Sequence, residues 1–226
     1  MPAEQFAADA AKVAEVRERF ENTVARNEVC LDSWWGSPRR AYPLQIPVGP
    51  AAARGLADAQ EAILRAEPAL LCVPEHALHV SVIFLISVFD EFATPKDEIW
   101  AANEAVWRDR LNKFLNGTPS FRMRYRWLVA TDTAIIAVAT PAGPVNDIRT
   151  TIATTLDLPG MSHRGKLAHT TLFRFATPLA APKDLVALLG DTYLDIPLNV
   201  TRLNLVREEI FPSLRSSPID SWNLPC

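Results

Sequence analysis

The sequence predicts an α+β fold with largely antiparallel sheets. Three observations predict it. Amphipathic helical stretches interleave with apolar, β-branched ones, and residues 121–139 read as a hairpin. A short histidine-bearing strand pattern also occurs twice, 90 residues apart (169 − 79 = 90), which points to two similar halves.

Each element has a local reason. Phe6, Ala10, Val13, Val16, Phe20 and Val24 recur at three- and four-residue steps and predict a helix over 6–26. Residues 30–49 carry Gly, several prolines and the pair Trp34-Trp35, and read as a loop lying over the body. Pro50 opens a helix over 51–66, at the position where the missing N–H costs nothing. The β-branched run that follows predicts a strand over 77–86. Pro95-Lys96-Asp97 opens a helix over 96–115, which Asn116-Gly117 stops. Phe121–Ala130 and Ala134–Ala139 flank a short turn, hence the hairpin. A helix over 143–156, a polar loop at 161–166, a strand over 167–176, a short helix over 182–190 and a strand over 196–206 complete the order. The tail 212–226, with three prolines, reads as irregular.

Composition narrows the function classes. Apolar residues are 49% and charged residues 22% of 226, which fits one globular domain and excludes a disordered chain. The charge, 23 − 26 = −3, argues against a protein held on duplex DNA by its net field. Cys30, Cys72 and Cys226 are far apart and form no CxxC, so neither a disulfide framework nor a structural zinc site is expected. The longest apolar run, VSVIFLISVF from Val80 to Phe89, is about half the length that spans a bilayer. The expectation is a soluble, cytoplasmic monomer without membrane contact.

The chemistry lies in the repeat. His79-Val80-Ser81 and His169-Thr170-Thr171 each put an imidazole and a hydroxyl two residues apart, on one face of a strand. Facing each other across a cleft, the two sets suit displacement at a phosphodiester. One neutral imidazole takes the proton of the attacking oxygen, and the other, protonated, gives one to the leaving oxygen. The hydroxyls hold the charge on the non-bridging oxygens. The scheme requires no metal and no cofactor.

HVSVIFL at 79–85 and HTTLFR at 169–174 resemble the paired H-x-[S/T] motifs of the two-histidine (2H) phosphoesterase superfamily, which includes the bacterial RNA 2′,5′-ligase-like proteins and cyclic nucleotide phosphodiesterases. LNLVREEI, Leu203–Ile210, is similar to that family's last strand. The resemblance covers 77–210 and leaves 1–75 as an N-terminal helical extension and candidate lid. It implies a bilobal, pseudo-twofold fold, with two antiparallel sheets and outer helices around a central cleft. It also implies that His79 and His169 are the acid/base pair, that Ser81 and Thr171 bind phosphate, and that the substrate is a small nucleotide or RNA end such as a 2′,3′-cyclic phosphate.

Other residues are candidates for substrate contacts. Arg122, Arg124 and Arg126 alternate with Tyr125 and other aromatic or apolar residues, so one strand face is basic and suited to clamp phosphate. Arg174 ends the second motif, but strict alternation turns it away from His169 unless a bulge intervenes. Trp35 lies in an aromatic, basic loop that suits stacking of a base. His163 precedes the second motif in a polar loop, and His76 reads as a strand-entry residue rather than a metal ligand. Two further functions fit the same residues: a non-hydrolytic acid/base reaction on a small metabolite, and a non-catalytic RNA- or nucleotide-binding module.

Overall fold

The computed structural model of the chain describes residues 3–160 and 167–225. Five α-helices are present among them: α1 (Ala3–Ala25), α2 (Pro50–Ala66), α3 (Lys96–Leu115), α4 (Gly143–Thr155) and α5 (Pro182–Asp191). The nine strands are β1 (Pro38–Pro47), β2 (Leu70–Cys72), β3 (His79–Ile86), β4 (Phe121–Ala130), β5 (Ala134–Thr140), β6 (Ala168–Phe175), β7 (Tyr193–Val200), β8 (Arg202–Ile210) and β9 (Arg215–Asn223). They form two sheets, ordered β3-β1-β8-β9 and β2-β6-β5-β4-β7, and every pairing is antiparallel. The class is α+β.

Three sequence expectations are corrected here. Residues 38–47 are not part of a loop: β1 is an inner strand between β3 and β8, with Tyr42, Leu44 and Ile46 fully buried. Pro43 is tolerated in it because the ladder with β3 shifts register between Tyr42 and Pro43. The strand expected over 196–206 is two strands, β7 and β8, which join different sheets and are separated by Thr201 alone. The tail also pairs, as β9 along β8. The segment before the first motif therefore supplies β1, α2 and β2 to the body of the fold.

One large core runs through both sheets and includes Leu44, Val80, Leu85, Ile135, Phe173 and Leu205. α3 closes on β1, where Tyr42 stacks on Trp100 (4.8 Å between centroids, 10° between planes) and its hydroxyl donates to Asp97. α1 lies across the second sheet, with Val13 and Val16 on Val129, Ile136 and Val138, and Phe6 against Trp127. No helix among the described residues is long and apolar enough to cross a membrane.

Candidate active site

The two motif strands, β3 and β6, sit in different sheets and together wall one cleft of about 220 Å³. His79, Ser81, His169 and Thr171 all line it, as do Arg149, Arg174, Glu208 and Ser213. The period-two rule explains the first four: in both strands the residues between them, Val80 and Thr170, are wholly buried on the opposite face.

Both motifs then break that period at the same place. In the β1–β3 ladder Gln45 faces Ser81 and Leu44 faces Ile83, so Val82 is an extra residue. In the β5–β6 ladder Ile136 faces Thr171 and Ile135 faces Phe173, so Leu172 is extra. Each bulge falls on the fourth residue of its motif and returns the sixth, Phe84 or Arg174, to the cleft side. Counted from each histidine, exposure runs in the same order along both strands.

A bulge leaves ladder groups that need other partners, and buried polar side chains provide them. Arg149 of α4 donates from Nε to the Val82 carbonyl (2.7 Å) and from Nη2 to those of Ser81 (2.9 Å) and Leu167 (3.2 Å). Gln60 of α2 donates to the carbonyls of Val73 (2.9 Å) and Leu172 (3.2 Å), the latter also accepting from the Val73 N–H (2.9 Å). Arg149 thus ties the first motif directly to the start of β6.

The imidazoles are half-buried in the cleft walls. His79 donates from Nδ1 to the Ala77 carbonyl (2.8 Å), which leaves the Nε2 lone pair facing the Ser81 hydroxyl at 3.0 Å. Burial lowers its pKa, partly opposed by the Ala77 carbonyl. His169 is pushed further, to about 4, by burial first and then by the positive charge of Arg149, with smaller contributions from Arg174 and His79. The Leu167 carbonyl acts in the opposite direction, although Nδ1 makes no full hydrogen bond among the described residues.

This architecture recurs in solved structures. TT0787 of Thermus thermophilus matches with a TM-score of 0.58 at 19% identity, over 81% of this chain and 97% of that one. Escherichia coli LigT in its apo form matches with 0.53 at 15%, over 84% of this chain and all of LigT. The chain has the LigT-like fold. ATU0111 of Agrobacterium tumefaciens, a conserved protein of unknown function, matches with 0.57 at 15%, over 88% and 96%. LigT has also been solved with phosphate, ATP, 3′-AMP and NADP+. No family model and no curated protein matches the chain.

Within the LigT-like fold of this chain, several sequence candidates lie outside the cleft. Arg124 and Arg126 sit on β4, two strands from β6, and both pair with Asp195 of β7. α1 packs over the intervening face, so these arginines do not reach the cleft. Tyr125 is wholly buried, with its hydroxyl bonded to Thr170 Oγ1 at 2.7 Å. Trp35 packs against the main core, while its neighbour Trp34 stacks on Phe89 and meets Phe211 edge-on beside the cleft. His76 holds the Leu214 carbonyl at 3.2 Å, and His163 lies outside the described residues. The sequence reading missed Arg149, Gln60 and Glu208. The first two had a signal, each being a polar residue within an apolar helix stripe: Arg149 between Val145, Ile148 and Ile152, and Gln60 between Leu56, Ala59 and Ile63.

Proposed function

We propose that the protein is a phosphoesterase that hydrolyses a cyclic or 2′-linked nucleotide phosphodiester by two-histidine acid/base catalysis. The observation that carries this reading is the convergence of two imidazole–hydroxyl sets from separate sheets on one cleft. One neutral imidazole removes the proton of an attacking water, and the other, protonated, gives its proton to the leaving ribose oxygen. A 2′,3′-cyclic phosphate becomes a monoester: one P–O bond forms to water and one breaks to the ribose. The Ser81 and Thr171 hydroxyls donate to the non-bridging oxygens, and Arg174 supplies the positive charge beside them. The phosphate, 3′-AMP and ATP complexes of LigT support a nucleotide as substrate class.

The test is product formation from 2′,3′-cyclic nucleotides and 2′,5′-linked dinucleotides, with EDTA present, followed by phosphorus NMR. The expected result is a phosphomonoester. No product from any phosphodiester overturns the reading.

The pKa directions fix a second expectation. The working form has one ring protonated and one neutral. In the free enzyme it is populated between the pKa of His169, about 4, and that of His79, below the usual 6.5. kcat/KM, which reports the free enzyme, is therefore expected to peak on the acid side of neutrality and to fall about tenfold per pH unit above the His79 pKa. A kcat/KM that rises from about pH 6.5 to about 8.5 contradicts the assignment.

A further inference from the structure

Three buried polar atoms beside the cleft make no hydrogen bond among the described residues: Asp32 Oδ2, Arg174 Nε and Glu208 Oε1. They form one cluster. Arg174 Nε lies 3.8 Å from Asp32 Oδ2, and the negative charges of both Asp32 and Glu208 favour the buried guanidinium. Arg174 and Glu208 line the cleft from opposite sheets, on β6 and β8.

The two sides of this cluster differ in freedom. Glu208 is 3% exposed. Its Oε2 accepts from the Ser213 hydroxyl at 2.5 Å, and that hydroxyl accepts from Gln45 Nε2 at 3.2 Å. Ser213 itself is held at φ 55°, in the left-handed region. The carboxylate is therefore fixed, with one oxygen left over. Arg174 is the long, rotatable partner, with its guanidinium resting 5.3 Å from the Phe211 ring centre. Lys96 of α3 also acts on Glu208 and is bound to the Ser87 and Val88 carbonyls (2.7 and 3.2 Å), while Arg40 of β1 donates to the Glu208 main-chain carbonyl (3.3 Å) and pairs with Asp97 (2.9 Å).

We propose that Glu208 is a positioning residue for Arg174: its carboxylate draws the guanidinium away from an anion in the cleft, and its protonation releases the guanidinium to that anion. Ionised, the trio Asp32, Arg174 and Glu208 carries one net negative charge; with Glu208 protonated it is neutral. The ionised state disfavours an anionic ligand. Burial raises the Glu208 pKa to about 7, against the smaller opposing effects of Ser213, Arg174 and Lys96, so the change falls near neutrality. Anion affinity is thus expected to fall as pH rises through that value. The proposal rests on the phosphodiesterase reading only for the identity of the natural anion.

Sulfate binding to the full chain tests it without turnover, because the charge of sulfate is constant across neutrality. By calorimetry, the wild-type Kd is expected to rise about tenfold more than that of Glu208→Gln between about pH 6 and about pH 8. The histidine titrations are common to both proteins and cancel in the comparison. Ser213→Ala removes a hydroxyl that stabilises the carboxylate, so the midpoint of the wild-type rise is expected to move to higher pH; this variant carries the test should Glu208→Gln not fold. Parallel wild-type and Glu208→Gln curves, or an unmoved midpoint in Ser213→Ala, overturn the proposal. A protein that shows the sulfate behaviour yet cleaves no phosphodiester refutes the catalytic reading and leaves this one standing.

Discussion

Replacing His79 or His169 with alanine is expected to lower kcat/KM on a 2′,3′-cyclic nucleotide by between about 10² and 10⁴, the range that a positioned acid or base contributes. Each ring lines the cleft instead of filling the apolar core, so thermal melts of both variants should stay close to wild type. The two rings act on one reaction coordinate. The double variant is therefore expected to lose little more than either single one. Thr171→Val keeps the shape of the strand and removes only the hydroxyl; it is expected to cost about 10²-fold or more, chiefly in kcat, because that donor acts where charge develops. Steady-state kinetics on the purified variants decides the matter. Full turnover in either histidine variant removes the mechanism.

The parts of this site that the sequence disclosed are those set by a local rule. Period two in a strand puts His79 with Ser81 and His169 with Thr171 on one face each, whatever surrounds them. The bulges at Val82 and Leu172 obey no local rule. They are defined by how many residues face one another across a ladder, and those partners, Leu44-Gln45 and Ile135-Ile136, are distant in sequence. Arg174 consequently reaches the cleft although simple alternation turns it away. The same reason hid β1, where the prolines at 38, 43 and 47 outweighed an apolar run whose partners, β3 and β8, could not be seen. Thr201 separates two strands of different sheets, a division that depends on which neighbour each half finds. The helices carried local start and stop signals, and α3, expected over 96–115 between Pro95 and Asn116-Gly117, is observed over Lys96–Leu115.

Arg149→Met is expected to lower stability more than replacement of either motif histidine. The wild-type residue is 4% exposed, and its guanidinium donates to the carbonyls of Ser81, Val82 and Leu167 and to Asn146 Oδ1. Methionine fills a similar volume, so the change isolates the lost hydrogen bonds from the creation of a cavity. Three carbonyls then lack their side-chain donor, at about 1 kcal/mol or more each. Removing a buried charge returns part of that, because burial already disfavours it enough to bring the Arg149 pKa down to about 10. The net expectation is on the order of 3 kcal/mol, read as a lower urea midpoint at unchanged slope. Arg149→Lys keeps the charge but not the planar fork that spans three carbonyls, and should fall between methionine and wild type. The electrostatic consequence separates this tie from ordinary packing. Without the positive charge of Arg149, the His169 pKa should rise from about 4, whereas in Arg149→Lys it should stay depressed. Proton NMR titration of the ring reads that shift directly. A methionine variant with an unmoved urea midpoint and an unmoved His169 titration would mean that the two motif strands are held in register by the sheets alone.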